Sequence, residues 1–249
     1  MDPPSESTAD ADREAPVRPR PYPVVLHLTG VRCLVVGGGP VAARKAAGLV
    51  EAGADVTVVA PEPDPGVRAL GVPGPRESGV VTVAARPYRS PEAADYRLVV
   101  TATGDPEVDR RVAEDAAAGG ALVNRADTGG HDRGAPVGAT VTLPAVLRDG
   151  PVTVAVSTDG ASPAFARWLR DRLAASLDPG VGALAVLAEE ARSAHRGAGS
   201  GAGAVDWSGA FDRVAPLVAA GRLDEARALL AQLVGGDPGV TPTSGGSAR

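Results

Sequence analysis

Three consecutive glycines, Gly37, Gly38 and Gly39, follow the apolar stretch CLVV and precede PVAARKAAGLVEAG. Gly37, Gly39 and Ala42 satisfy the spacing G-x-G-x-x-G/A of a dinucleotide-binding turn. Each position has its own task. The first glycine permits a tight exit from a strand, and the second lets the backbone approach a pyrophosphate. A small residue at the third place keeps the helix against the sheet. The anion then sits at a helix N-terminus, where free N–H groups and the macrodipole favour negative charge. The alternative is a tight turn that holds nothing, so the strands on either side of it carry weight. An acid is expected about 20 residues on, at the end of the next strand, to take a ribose 2′-hydroxyl. Here that strand closes Val59-Ala60-Pro61 and the first acid is Glu62, slightly late. No arginine stands there to receive a 2′-phosphate, so NAD is preferred over NADP.

Other reactive residue types offer less. His27, His131 and His195 are widely spaced and carry no ligand pattern, so no metal site is expected. The single cysteine, Cys33, excludes an internal disulfide and falls in an expected buried strand, where a thiol is inert. Arg44 and Lys45 follow the turn and face either solvent or ligand.

The elements that must position the turn are legible from period and punctuation. Residues 32–36 read as a compact apolar strand, 41–52 as a helix closed by Gly53, and 55–60 (DVTVVA) as a β-branched strand. This is the βαβ context that the glycine motif needs. Residues 61–79 are rich in Pro and Gly, with room for one short helix. Further strands are expected at 80–84, 97–102 and 121–124. A helix after Asp105-Pro106-Glu107 runs to Gly119-Gly120. The alternation predicts an α/β fold, a Rossmann-like doubly wound parallel sheet. The pattern then changes. Residues 128–138 read as a loop, and 139–147 and 152–157 as two strands around the turn RDGP. Ser162-Pro163 opens a helix to about 177, on which Phe165, Leu169, Leu173 and Leu177 recur every four residues. Helices at about 181–195, 208–220 and 224–234 follow.

The expected organisation is therefore a disordered tail at 1–20, an NAD-binding Rossmann domain at 21–135 and a β-rich dimerisation segment at 136–161. A small helical domain at 162–234 contains a flexible linker at 197–204 (GAGSGAGA), and a second tail closes the chain at 235–249. The formal net charge of −5 over 249 residues argues against nucleic acid as a partner. No apolar run approaches the ~18–20 residues of a membrane span. The opening MDPPSESTADADREAPVRPRP has no apolar segment, so no secretory signal is expected and the cytoplasm is the expected compartment.

YPVVLHLTGVRCLVVGGGPVAARKAAGLVEAGADVTVVAPE, then TATGDPEVDRRVAEDAAAGGALVNRAD, then LPAVLRDGPVTVAVSTDGASPAFARWLRDRL resemble one known family. It is the precorrin-2 dehydrogenase/sirohydrochlorin ferrochelatase family, the sirohaem synthases. The likeness covers about residues 21–177. A generic Rossmann protein would not join GGGPVAARK to VSTDGASPAFARWLR. The resemblance implies NAD-dependent oxidation of precorrin-2 to sirohydrochlorin by a homodimer, with Fe²⁺ insertion as a further activity of some members. It implies cofactor contacts at Pro40 and Val41 in the turn and at Pro61 and Glu62 after the second strand. The family's functional aspartate, in its N-x-x-D motif, falls on Asp127. A position near the SxGxSP motif that is phosphorylated in some members falls on Thr158. The chain departs from the family at TGGHDRGAPVGAT, a longer glycine-rich loop that bears on the substrate pocket, and the likeness is slight beyond Leu177.

The chemistry is compatible with these positions. A tetrapyrrole bearing several carboxylates needs local cations in an acidic protein. Arg167 and Arg170, three apart on one helix, offer planar forks for carboxylates, and Ser162 of the same motif is assigned with them to the substrate. Asp127 leaves the fifth strand at the sheet's carboxyl edge, where ligands bind in such folds. There it is expected to accept a proton or orient the macrocycle; the alternative is an Asx-turn residue. The competing function classes are an NAD(H)-sensing regulatory module and a family member that binds tetrapyrrole without turnover.

Overall fold

A computed structural model describes residues 21–71, 79–126, 140–197 and 205–235. The chain divides into two compact units, residues 1–141 and 142–249.

The first unit is built on a five-stranded parallel sheet. Its elements are β1 (Arg32–Val36), α1 (Pro40–Glu51), β2 (Asp55–Ala60), α2 (Pro65–Leu70), β3 (Val81–Ala85), a 3₁₀ turn (Glu92–Asp95), β4 (Leu98–Thr101), α3 (Pro106–Ala118) and β5 (Leu122–Arg125). The strand order is β3-β2-β1-β4-β5, so the direction of winding reverses between β1 and β4. The registers Val36↔Val59 and Val36↔Thr101 bring three strand ends to one edge. Helices cover both faces, so the central strands have no polar side to show water. Accordingly, β1 is buried from Cys33 to Val36 and β4 along its whole length. On one face Val35, Val58 and Val100 pack with Ala42, Ala46 and Leu49 of α1. On the other, Leu34, Val59 and Val99 pack with Val112, Ala113 and Ala116 of α3. Each of these fully buried Val or Leu side chains contributes about 1.5–3 kcal/mol. Cys33 lies in this core, where burial, and then the charge of Asp55, push its thiol up to about 11.

The segment after β5 contributes one unexpected pairing. The N–H groups of Thr140 and Val141 donate to the Val123 carbonyl, while Thr140 Oγ1 accepts from the Val123 N–H at 2.8 Å. Asn124 Nδ2 reaches the Val141 carbonyl at 3.0 Å. Residues 140 and 141 thus lean on β5 and do not begin a ribbon.

The second unit holds the hairpin of β6 (Ala145–Asp149) and β7 (Val152–Val156), then α4 (Pro163–Ser176), α5 (Val181–Gly197), α6 (Trp207–Ala219) and α7 (Leu223–Gly235). The first strand starts at Ala145, later than the expected 139, directly after Pro144, which has no N–H to give to a ladder. Asp149 accepts a hydrogen bond from the Gly182 N–H at 2.9 Å, and a Cβ on Gly182 would lie 2.5 Å from the Asp149 carbonyl oxygen. That close approach requires the glycine. Leu187, Val214, Val218, Leu230 and Val234 form the core shared by α5, α6 and α7. Along α4 the structure buries only Ala166; Phe165, Trp168 and Leu173 are exposed by 50%, 53% and 36%. The expected tail at 1–20, the loop at 128–138, linker positions 198–204 and positions 236–249 of the expected tail at 235–249 lie outside the described residues, whereas Gly197 ends α5 and Gly235 ends α7.

Candidate functional site

The glycine turn leaves β1 at the edge where β2 and β4 also end. Gly37 takes φ +135°, and its N–H donates to the Val59 carbonyl at 2.9 Å. A Cβ there would lie 2.2 Å from the Ala102 carbonyl oxygen, so no other residue fits. Gly38 is equally tight, since a Cβ would meet the Glu62 carbonyl oxygen at 2.6 Å. Gly39 differs: a Cβ there meets nothing within 4 Å. The first two glycines are required by the fold, and the third borders open space.

Gly39 is the N-cap of α1 and Pro40 its first residue. The helix begins with no side-chain cap and no acid in its first turn. By contrast, Asp64 caps α2, Asp105 caps α3 and Ser162 caps α4. The free N–H groups of the first turn of α1 are therefore available to an anion. Ala42 is fully buried against the sheet, as its place in the motif demands.

A cleft of about 560 Å³ opens over this turn. It is lined by Gly37, Gly38, Gly39, Pro40, Pro61 and Glu62, so six of the eight expected cofactor residues come together. The other two do not line it: Ala42 is in the core, and Val41 lies on the helix with 39% exposure. Volume, open glycine and uncapped helix together fit a dinucleotide. Glu62, Asp64 and Asp105 also line the cleft, and no lysine or arginine does among the described residues. That balance suits a ribose hydroxyl better than an added phosphate. Lys45 and Arg44 lie outside the lining; Arg44 is exposed, and burial, then the Arg44 charge, lower the Lys45 pKa.

Sequence reasoning missed the residues that reach the cleft from outside the βαβ unit. Pro87 and Tyr88 come from the loop after β3, and Thr103, Asp105 and Val108 from β4–α3. The β4–α3 turn is tied internally. Thr103 Oγ1 donates to Asp109 Oδ1 at 2.8 Å and accepts from the Asp105 N–H at 3.0 Å. Asp105 in turn accepts from the N–H groups of Glu107 and Val108. The sequence TATGDPE contained the capping signal for this helix, but not its neighbourhood to the glycine turn.

Asp127 and His131 lie outside the described residues; Asn124, three positions before Asp127, is 5% exposed at the end of β5. The remaining expected residues are in the second unit. Ser162 accepts from the Phe165 N–H at 3.1 Å, which commits its oxygen to the cap of α4. The Thr158 hydroxyl donates to the Ser162 carbonyl at 3.2 Å and accepts from its N–H at 3.3 Å, closing the turn before the helix. Arg167 is exposed, and Arg170 is engaged with its neighbour Asp171 at 2.6 Å. Among the described residues no three His, Cys, Asp or Glu side chains gather to hold a metal ion. None of the described helices is long and apolar enough to cross a membrane.

Residues 24–141 match a family described as putative NAD(P)-binding, and residues 149–176 match one described as sirohaem biosynthesis protein, central. A siroheme synthase of Pseudomonas entomophila is 41% identical over 170 residues, 68% of this chain and 34% of that protein. One from Nitrosococcus oceani is 36% identical over 218 residues, 86% of this chain and 44% of that protein. The chain thus spans between a third and a half of the length of these relatives. Among solved structures, SirC, a precorrin-2 dehydrogenase, superposes with a TM-score of 0.60 at 25% identity, covering 85% of this chain and 98% of that one.

Proposed function

The chain belongs to the family of the precorrin-2 dehydrogenases and sirohaem synthases, and from that premise we propose that it oxidises precorrin-2 to sirohydrochlorin with NAD. The observation that carries the proposal is the glycine turn, open at Gly39 onto an uncapped helix, in a chain that also matches the sirohaem central segment. When bound, NAD supplies the hydride acceptor. Gly37 to Pro40 and the first turn of α1 hold the pyrophosphate. Glu62 takes a ribose hydroxyl, beside Pro61. Asp127 accepts the proton that leaves as the substrate loses its hydride, so that precorrin-2 and NAD⁺ yield sirohydrochlorin, NADH and H⁺. Arg167 and Arg170 bind the carboxylates of the anionic macrocycle, and Ser162 sets the helix that presents them. Fe²⁺ insertion, a further activity of some members of the family, is tested beside the dehydrogenation.

The functional form is a homodimer. The exposed apolar side chains of α4 and the two-stranded ribbon β6–β7, with both edges unpaired among the described residues, support this. The test is an anaerobic incubation of the purified chain with precorrin-2 and NAD. The expected result is the absorbance of sirohydrochlorin together with that of NADH. A parallel sample with Fe²⁺ reports metal insertion through the sirohaem spectrum. A protein that binds NAD and leaves precorrin-2 unchanged refutes the dehydrogenase assignment.

A further inference from the structure

The loop between β3 and β4 is braced far more firmly than a connection requires. Arg86 grips Glu92 with both terminal guanidinium nitrogens, at 2.9 and 2.6 Å. Glu92 Oε1 also accepts from the Arg89 N–H at 2.7 Å, and Arg86 donates to the Pro87 carbonyl at 3.0 Å. Inside this clasp stands Tyr88. Its hydroxyl donates to Asp115 Oδ2 on α3 at 2.7 Å and accepts from the Ala93 N–H at 3.1 Å. Burial, then the hydrogen bond to Asp115, push the phenol well above its usual range, so it stays neutral. With the hydroxyl committed at both roles, the ring is what Tyr88 can offer to the cleft that it lines.

Strand order says which part of a dinucleotide meets that ring. The glycine turn that would hold the pyrophosphate follows β1, and the first acid, Glu62, follows β2. The next strand outward is β3, and the loop after it carries Pro87 and Tyr88. A chain of groups running from pyrophosphate to ribose to base follows the same path across the sheet edge. Resting on the NAD reading above, we propose that Tyr88 is a binding residue for the base of the cofactor: its braced ring, with Pro87 and Val108, forms the wall that receives the adenine. A purine is flat, uncharged and apolar on its faces, and a ring fixed before binding loses little freedom when it stacks.

Calorimetric titration with NAD, AMP and nicotinamide mononucleotide tests this on the whole chain. Tyr88→Ala is expected to weaken NAD and AMP by about ten- to a hundredfold, the range for loss of one base–aromatic stack. Nicotinamide mononucleotide should bind as before. Tyr88→Phe keeps the ring and loses the brace, so a fall of about two- to tenfold is expected for AMP. Should Tyr88→Ala fail to show a native circular dichroism spectrum, Tyr88→Leu keeps the apolar bulk without the ring and must weaken AMP in the same direction. A folded Ala or Leu variant with wild-type AMP affinity overturns the proposal, as does an equal loss for both mononucleotides. If the unmutated chain binds neither NAD nor AMP, the cofactor reading itself falls, a result distinct from failure of the Tyr88 proposal.

Discussion

Gly37 and Gly39 stand two positions apart in one motif and do opposite things. Gly37 is held at positive φ against the Ala102 carbonyl, so a side chain there collides with backbone that cannot move aside. Gly39 faces empty space. Gly37→Ala is therefore expected to destabilise by more than about 2 kcal/mol, the cost of a strained conformation plus a steric clash. Gly39→Asp should leave the melting temperature near that of the parent protein and abolish NAD binding, because its carboxylate occupies and repels the pyrophosphate position. Thermal melts beside calorimetry separate the two, and unchanged NAD affinity in folded Gly39→Asp refutes the site. Asp127 is tested differently. As a proton acceptor it acts on turnover, so Asp127→Ala should lower kcat by about 10²–10⁴-fold with NAD affinity preserved. Asp127→Asn keeps part of an orienting hydrogen bond but none of the basicity. Near-normal precorrin-2 turnover by folded Asp127→Ala defeats the role. His131→Ala, from the same stretch of sequence, is the matched control, with a small effect expected.

At the scale of elements, four of the helices show how ends decide use. Helices α2, α3 and α4 satisfy their first N–H groups with Asp64, Asp105 and Ser162, whereas α1 leaves its own unsatisfied by side chains. The capped ends have a side chain on their first N–H groups, and the bare one leaves room there for an anion. Ser162 is the position where both roles have been assigned. If its oxygen serves mainly as the α4 cap, Ser162→Ala costs about 1 kcal/mol of stability, Ser162→Asp restores it, and KM for precorrin-2 hardly moves. If the hydroxyl binds substrate, KM rises in both variants while stability follows the cap. Steady-state kinetics and denaturant melts on the pair decide. The strand boundary at Pro144 carries a related lesson. Apolar alternation ran from 139, yet a ladder cannot use a residue without an N–H, and Thr140 and Val141 found partners on β5.

At the scale of the molecule, the proposed dimer is tested at the exposed apolar side chains of α4. Phe165 stacks on Trp168 with ring centroids 5.4 Å apart, and both are about half exposed in a chain with only seven aromatic residues. Phe165→Asp with Trp168→Asp is expected to convert a dimer into a folded monomer, read by light scattering at micromolar concentration. A wild-type chain that is already monomeric there removes the dimer. The sequence by itself determined the βαβ unit, the glycine turn and nearly every element, because β-branched runs, Asp-Pro caps and terminal glycines act over a few residues. It also determined that α4 has an apolar stripe at Phe165, Leu169 and Leu173. Only the tertiary structure decided that Phe165 and Leu173 of this stripe stay exposed among the described residues, since a period of four marks a face and says nothing of what lies against it. Only the strand order, a choice among distant pairings, brought Tyr88 and Val108 to the turn beside Gly37. Local chemistry is written in neighbouring residues; the walls of a cleft at a sheet edge are set by which strands lie side by side.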